Sequence, residues 1–119
     1  FQIADDLLDY TGTEAETGKP SGHDLRERKV TLPLVATLRE ASPAELGAIR
    51  TLFDGEREPG DDEIARVVGI VRERGGLEYA RRRAMNFAEA AEEALSEVAG
   101  GEARQSLLSC VVYATQRSR

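Results

Sequence analysis

The chain has 119 residues, a net charge of −6 and a pI near 4.9, which fits one ordinary domain. No excess of basic residues is present to bind phosphates, so we expect no nucleic-acid partner. No run of 18 apolar residues occurs, so no membrane span is predicted. The single cysteine, Cys110, permits no disulfide within the chain and indicates a cytoplasmic location. We expect Cys110 to be a buried, small apolar residue.

Apolar residues recur with helical spacing along the chain, and aromatic residues are few, so the predicted fold class is all-α. A helix ends near Tyr10, and a loop rich in glycine follows. This loop covers 11–23 and is followed by a predicted turn of helix over 24–28 and a helix over 30–41. The next predicted helix is opened by Ser42 and ends near Phe53, and the one after it is capped by Asp61 or Asp62 and stopped by Gly75-Gly76. The last two predicted helices cover 77–98 and 102–116.

Ser42 with Glu45 has the pattern of a capping box. Apolar faces are predicted for the last two helices, over 77–98 and 102–116. The face predicted for the long helix consists of Leu77, Ala84, Phe87, Ala88, Ala91, Leu95 and Val98. The face predicted for the last helix consists of Leu107, Leu108, Val111 and Val112.

A D-D-x-x-D pattern, made by Asp5, Asp6 and Asp9, lies on the first helix. Asp5 and Asp9 are four residues apart, where like charges cost roughly 0.2–0.5 kcal/mol. They also lie at the C-terminal end of the helix, where the dipole disfavours anions. Mg²⁺ would reverse this repulsion, since it is commonly held by one or two carboxylates plus substrate phosphates. Taken alone, the pattern more often marks a solvated acidic helix end.

Two lysines, Lys19 and Lys29, follow the acidic pattern within and just after the loop. They are either salt-bridge partners of the acids or, together with a metal, the groups that neutralise a diphosphate. The loop glycines would let the backbone approach such a ligand.

Residues 1–10, F-Q-I-A-D-D-L-L-D-Y, closely resemble the second aspartate-rich motif of trans-isoprenyl diphosphate synthases, also called polyprenyl synthetases. Residues 18–34, G-K-P-S-G-H-D-L-R-E-R-K-V-T-L-P-L, look like the segment that follows it in those enzymes. The D-L-R-E-R-K wording is most similar to long-chain synthases. Because the chain begins with Phe1 inside this motif, we expect residues 1–119 to be the C-terminal portion of one longer domain, with the motif at 1–10 and a diphosphate-binding loop at 11–33.

The resemblance implies an all-α bundle around a deep cavity, of which this chain would supply the C-terminal helices. Two aspartate-rich motifs of such an enzyme bind three Mg²⁺ ions at the cavity mouth. The implied reaction is a 1′–4 head-to-tail condensation of an allylic diphosphate with isopentenyl diphosphate. The implied assembly of the whole enzyme is a homodimer.

The resemblance also assigns roles to residues of the acidic pattern. Asp5 is the best candidate for a direct Mg²⁺ ligand, and Asp6 and Asp9 would bind directly or through metal-bound water. Asp24 would either organise the loop, bind metal through water, or cap the turn of helix that it opens. His23 is the only histidine, and since one histidine makes no zinc site, we expect an exposed loop residue.

Four further residues are implied to contact the substrate. Lys19 would contact the allylic diphosphate, and Lys29 would assist electrostatically. Gln2 would lie near the reacting allylic carbons, and Phe1 would line the cavity.

Three hypotheses follow. In the first, the chain is part of a polyprenyl diphosphate synthase and is inactive by itself, since it carries half of the site. In the second, it is a non-catalytic short subunit or interaction module that pairs with a larger catalytic chain. A terpene cyclase on the same fold is disfavoured, because the G-K-P and T-L-P segments resemble those of chain-elongating synthases.

Overall fold

A computed structural model of the protein describes residues 1–12 and 21–116, and within these ranges it contains helices and turns but no strand. The all-α prediction is therefore confirmed. No helix in these ranges is long and apolar enough to cross a membrane. The helices are α1 (Gln2–Thr11), α2 (His23–Arg26), α3 (Leu32–Leu38), α4 (Pro43–Asp54), α5 (Asp61–Glu73), α6 (Gly76–Ser96) and α7 (Glu102–Gln116).

Helix α6 is the central element, and it packs against α1, α3, α5 and α7. Its buried residues are Gly76, Leu77 and Ala80 near the start and Ala88 further along. Helices α1, α3, α4 and α5 complete one core around it. The core residues they contribute are Leu7, Tyr10, Leu34, Ile49, Leu52, Ile64, Val67, Ile70 and Val71, together with Leu25 of α2. The acidic helix α1 is thus held against this core through its apolar face, which includes Leu7 and Tyr10.

The predicted capping box of α4 is present. The backbone N–H of Glu45 donates to the Ser42 hydroxyl at 3.3 Å, and the Ser42 N–H donates to the Glu45 carboxylate at 2.7 Å. Arg74, which follows α5, donates to both oxygens of the same carboxylate at 2.9–3.0 Å. These bonds lower the pKa of Glu45 to about 2, and the bond from Arg74 has the largest effect. The cap therefore also joins the start of α4 to the end of α5.

Two predicted helix boundaries are wrong by a few residues. Helix α5 is capped by Gly60 rather than by Asp61 or Asp62, because the Glu63 carboxylate accepts the Gly60 N–H at 2.9 Å. The helix predicted over 30–41 is confined to Leu32–Leu38. Its C-terminal end comes early because the last turn tightens, with the N–H groups of Arg39 and Glu40 donating to the carbonyls three residues back, at 3.3 and 3.0 Å.

The predicted apolar faces of α6 and α7 are only partly covered. Phe87 is 58% exposed and Val98 is 49% exposed, and α7 has no buried residue. Cys110 is exposed, so the prediction that it is buried is wrong. The physical reason is that spacing identifies the apolar side of a helix but not whether a neighbour covers it. Helix α7 has α6 as its main neighbour and leaves its other sides open.

Helices α3 and α6 approach closely at Gly76. A Cβ atom at this position would overlap the Thr37 hydroxyl and the carbonyl oxygen of Pro33, both on α3. Thr37 is fully buried and donates to that same carbonyl at 2.9 Å, so neither group can move aside easily. The crossing therefore requires a residue without a side chain at the start of α6.

We predict that Gly76→Ala destabilises the protein by about 1–3 kcal/mol, the usual cost of inserting a methyl group into a packed contact. The matched control is Gly69→Ala inside α5, where a Cβ would meet no atom within 4 Å. This control should be neutral or stabilising by about 0.5–1 kcal/mol. Urea unfolding followed by circular dichroism measures both, and equal effects of the two substitutions would contradict the close crossing.

Candidate functional site

The side chain of Asp9 connects the acidic helix α1 to the start of α2. One carboxylate oxygen accepts the backbone N–H of His23 and the other accepts that of Asp24, both at 3.0 Å. The main-chain carbonyl of Asp9 accepts the N–H of Gly22 at 2.9 Å and the hydroxyl of Ser21 at 3.3 Å. Asp9 therefore fastens the start of α2 onto the end of α1.

Gly22 allows this close fit. It adopts a left-handed conformation, with φ of 80°, immediately before α2. A Cβ atom here would overlap the side chain of Ile64 on α5. A glycine is therefore required both for the backbone conformation and for the space.

Two carboxylates of the acidic pattern, those of Asp6 and Asp9, are partly buried in a negatively charged region, while Asp5 is exposed. Burial raises the pKa of Asp6, and the nearby charges of Asp24 and Asp5 raise it further, while a bond from the Gln2 amide at 3.3 Å lowers it. Burial also raises the pKa of Asp9, and the Asp24 charge adds to this, although the two backbone N–H donors offset part of it. This region would be stabilised by a cation.

Tyr10 supports the acidic region from below. Its hydroxyl forms a buried hydrogen bond of 3.2 Å with the hydroxyl of Thr31, the residue that caps α3. Burial raises the pKa of Tyr10 to about 12, and the negative charges of Asp9, Asp24 and Asp6 contribute. The bond fixes α1 relative to the start of α3, so buried groups determine where the acidic pattern lies relative to the core.

Lys29 lies at the edge of the same region. Its ammonium group is 3.4 Å from Asp24 and also pairs with Glu27. In this conformation Lys29 is therefore a salt-bridge partner of the acids, and its contact with a diphosphate stays a prediction. Lys19, the other predicted phosphate ligand, lies outside the described residues.

Phe1 and Gln2 occupy different surroundings. Phe1 is 73% exposed and borders an apolar groove of about 140 Å³ together with Ala4, Phe87 of α6 and Val111 of α7. Gln2 instead points along α1 to Asp6. The structure thus brings Phe1 to an apolar surface and Gln2 to the acidic one, while their predicted contacts with substrate are not tested.

The donor set of the region fits Mg²⁺ in kind, because the available ligands are carboxylate oxygens in a site where burial and mutual repulsion disfavour their charge. Residues 1–12 and 21–116 contain no group of three or more His, Cys, Asp and Glu side chains that could hold a metal alone. Phosphate oxygens would have to complete the coordination of any ion bound there.

The sequence alone does not define the contacts of several residues around the acidic pattern. The sequence allows three roles for Asp24; in the structure its backbone N–H donates to Asp9 and its carboxylate lies near Lys29. His23 is a half-buried residue of α2 rather than an exposed loop residue. Tyr10 and Thr31 belong to two separate predicted helices, and their hydroxyl contact spans 21 positions and has no local sequence signature.

Comparisons with known proteins agree on one family. The family model described as polyprenyl synthetase matches residues 1–71. An all-trans-nonaprenyl-diphosphate synthase (geranyl-diphosphate specific) of Rhodobacter capsulatus is 36% identical over 98% of this chain. The octaprenyl diphosphate synthase of Escherichia coli K12 is 35% identical over the whole chain. The matches cover 35% and 36% of those two proteins, so the chain spans about a third of the length of these curated relatives.

Solved structures give the same result for the fold. A decaprenyl diphosphate synthase from Rhodobacter capsulatus superposes with a TM-score of 0.83 and 34% identity, over 99% of this chain and 36% of that one. A polyprenyl synthase from Caulobacter crescentus CB15, complexed with calcium and isoprenyl diphosphate, superposes with a TM-score of 0.85 and 30% identity, over 99% and 35%. The helices described above are therefore arranged as in those synthases.

We predict that Asp9→Ala destabilises the protein by about 1–2 kcal/mol, because it leaves two N–H groups at the start of α2 without their acceptor. Asp5→Ala, on the exposed side of the same helix, should change stability by less than about 0.5 kcal/mol. Urea unfolding of both variants measures the difference. Similar stabilities of the two variants would show that Asp9 does not hold the start of α2 against α1.

Proposed function

The chain belongs to the polyprenyl synthetase family, and we propose that it supplies the second aspartate-rich half of a prenyltransferase active site. The proposed reaction is the 1′–4 head-to-tail condensation of an allylic diphosphate with isopentenyl diphosphate, with Mg²⁺ as cofactor. The observation that supports it best is the contact of Asp9 with His23 and Asp24, because it joins the acidic pattern of α1 and the start of α2 into one surface.

Each residue of this surface has a proposed task. Asp5 and Asp6 would hold the metal, and Asp9 would do so directly or through water with the lone pairs that its backbone donors leave. Mg²⁺, when bound, neutralises charge on the diphosphate and so assists its departure from the allylic carbon. Lys29, whose ammonium group already lies beside Asp24, would add positive charge for the same diphosphate. Lys19 would bind the diphosphate from the loop.

The apolar part of the substrate is proposed to follow α1 in the opposite direction. Phe1 and Ala4 border the apolar groove, and Asp5 comes directly after Ala4 on the same helix. The tail of a prenyl substrate could therefore lie on apolar side chains while its diphosphate lies on the acidic ones. Gln2 would lie near the allylic carbons between these two parts.

The rest of the site would come from protein outside this third of the fold. The relatives are about three times as long, and exposed apolar residues of α6 and α7 offer a surface for further helices. We therefore expect residues 1–119 by themselves to be inactive, and we include a homodimeric assembly and a cytoplasmic location in the proposal. The same exposed surface favours the second candidate function, a non-catalytic subunit that pairs with a larger catalytic chain.

A direct test of metal binding uses Mn²⁺, a paramagnetic ion that accepts the same oxygen ligands as Mg²⁺. We predict that Mn²⁺ with inorganic diphosphate broadens the amide signals of Asp5 to Asp9 and of His23 to Lys29 in the purified chain. Asp5→Asn should weaken this broadening several-fold, and Asp62→Asn, which changes an exposed carboxylate on α5, should leave it unchanged. Broadening that is equally lost in both variants, or centred on α5, would contradict the ligand assignment.

A chimera tests the transfer reaction. We predict that the Rhodobacter capsulatus decaprenyl diphosphate synthase, with its matching third replaced by this chain, incorporates labelled isopentenyl diphosphate into a long product when Mg²⁺ is present. Asp5→Ala in the chimera should reduce the rate about 100-fold or more, since metal electrostatics contributes several kcal/mol. Asp62→Ala is the matched control.

Circular dichroism and a cooperative thermal transition establish that the chimera is folded before its rate is compared. A folded chimera without incorporation would favour the non-catalytic subunit over the proposed transferase half. A folded, active chimera that is insensitive to Asp5→Ala would overturn the metal role of Asp5.

A further inference from the structure

Arg28 has an unusual backbone conformation. Its φ of 54° lies in the left-handed region, and it is the only residue other than glycine with positive φ in the described part of the chain. This region is unfavourable for residues with a Cβ atom, and such strain persists only where surrounding contacts determine it. The conformation therefore calls for a physical cause near Arg28.

The turn that follows α2 explains where the strain arises. The N–H of Lys29 donates to the carbonyl of Asp24 at 2.8 Å, and the N–H of Arg28 donates to that of Leu25 at 3.0 Å. These two bonds form a Schellman motif, whose left-handed position is usually glycine. Here that position is occupied by Arg28, whose Cβ atom makes the left-handed conformation unfavourable.

The side chain of Arg28 supplies contacts that hold the turn. Its Nε atom donates to the carbonyl of Leu52 at 3.1 Å, and its Nη2 atom donates to the carbonyl of Arg57. Leu52 is buried in the last part of α4, and Arg57 lies in the connection between α4 and α5. The guanidinium group thus anchors the turn to the buried end of α4 and to the connection that follows it.

The turn in turn determines the position of Lys29. Because the chain reverses at Arg28, the Lys29 ammonium group returns to Asp24 and lies 3.4 Å from its carboxylate. The N–H of Asp24 is bonded to Asp9 on α1. A continuous set of contacts therefore runs from the end of α4 through Arg28 to the acidic surface.

We propose that Arg28 is a positioning residue, whose anchor on the Leu52 and Arg57 carbonyls holds Lys29 and Asp24 at the diphosphate surface. The proposal rests on the proposed function, since it assigns Lys29 to a diphosphate. Arg28 itself touches backbone carbonyls and would not contact the substrate.

Three variants separate the side-chain anchor from the backbone conformation. Arg28→Gly removes the anchor and relieves the backbone strain, Arg28→Ala removes the anchor and keeps the strain, and Arg28→Lys retains charge and can bond one carbonyl. Arg50→Ala, which removes an exposed arginine from α4, is the matched control.

Amide hydrogen exchange of the purified chain gives the first readout. We expect Arg28→Ala and Arg28→Gly to speed exchange at Asp24 and Lys29 about tenfold or more, Arg28→Lys to have an intermediate effect, and Arg50→Ala to have none. Exchange at Val67 and Val71 in the core should stay unchanged, which separates a local effect from general destabilisation. Normal protection of Asp24 and Lys29 in Arg28→Gly would overturn the proposal, because the turn would then need no anchor.

Broadening by Mn²⁺ with inorganic diphosphate gives the second readout. We expect Arg28→Gly to reduce the broadening at Lys29 several-fold while that at Asp5 persists. If the unchanged chain shows no broadening that depends on diphosphate, the proposed function fails, and the exchange data still decide whether Arg28 holds the turn. If the unchanged chain shows it and Arg28→Gly matches it at Lys29, the positioning role is wrong while the proposed function stands.

Discussion

The carboxylate of Asp9 provides the contact on which the rest of the acidic region depends. Asp9 and the first residue of α2, His23, are 14 positions apart in the sequence, and bringing two such positions together costs conformational entropy. Two backbone N–H donors on the carboxylate, together with the Gly22 N–H on the Asp9 carbonyl, offset that cost. The contact also gives an anion at the C-terminal end of α1 a favourable partner, the N–H groups at the start of α2.

This arrangement changes the argument for a metal at each acidic residue. For Asp9, the unfavourable position at the end of a helix is explained by the N–H groups it accepts, so its location alone no longer requires a cation. Asp6 is different, because burial raises its pKa and the charges of Asp24 and Asp5 raise it further, with only the Gln2 amide and a backbone donor in opposition. The electrostatic case for a bound cation therefore rests more on Asp6 than on Asp9.

The sequence predicted the features that depend on neighbours along the chain. The capping box of Ser42 and Glu45, the breaks at glycine and the identity of the acidic helix all follow from local rules, and the structure agrees with them. The features it missed join distant positions, such as the Tyr10–Thr31 bond and the overlap that forbids a side chain at Gly76. The turn at Arg28 gave no signal, because a turn of this kind is usually identified by a glycine and this position holds an arginine.

Burial was the hardest property to predict for the last two helices. Periodicity correctly marked Leu77 and Ala88 as buried on α6, but it also marked Phe87, which is more than half exposed. The spacing of apolar residues states a preference for contact, and the contact forms only where a neighbouring element exists. On α7 the same preference leaves Leu107, Cys110 and Val112 exposed.

The exposed apolar surface and the acidic surface share helix α1, and this limits what can complete the site. Phe1 and Ala4 border the groove between α1, α6 and α7, while Asp5 and Asp6 begin the acidic surface at the next two positions. Burial of the groove by further helices would lower the local dielectric at the neighbouring carboxylates and so strengthen both their repulsion and their attraction to a cation. Any protein surface that covers the groove would therefore also alter the electrostatics of the acidic pattern, and the two functions of α1 cannot be completed independently.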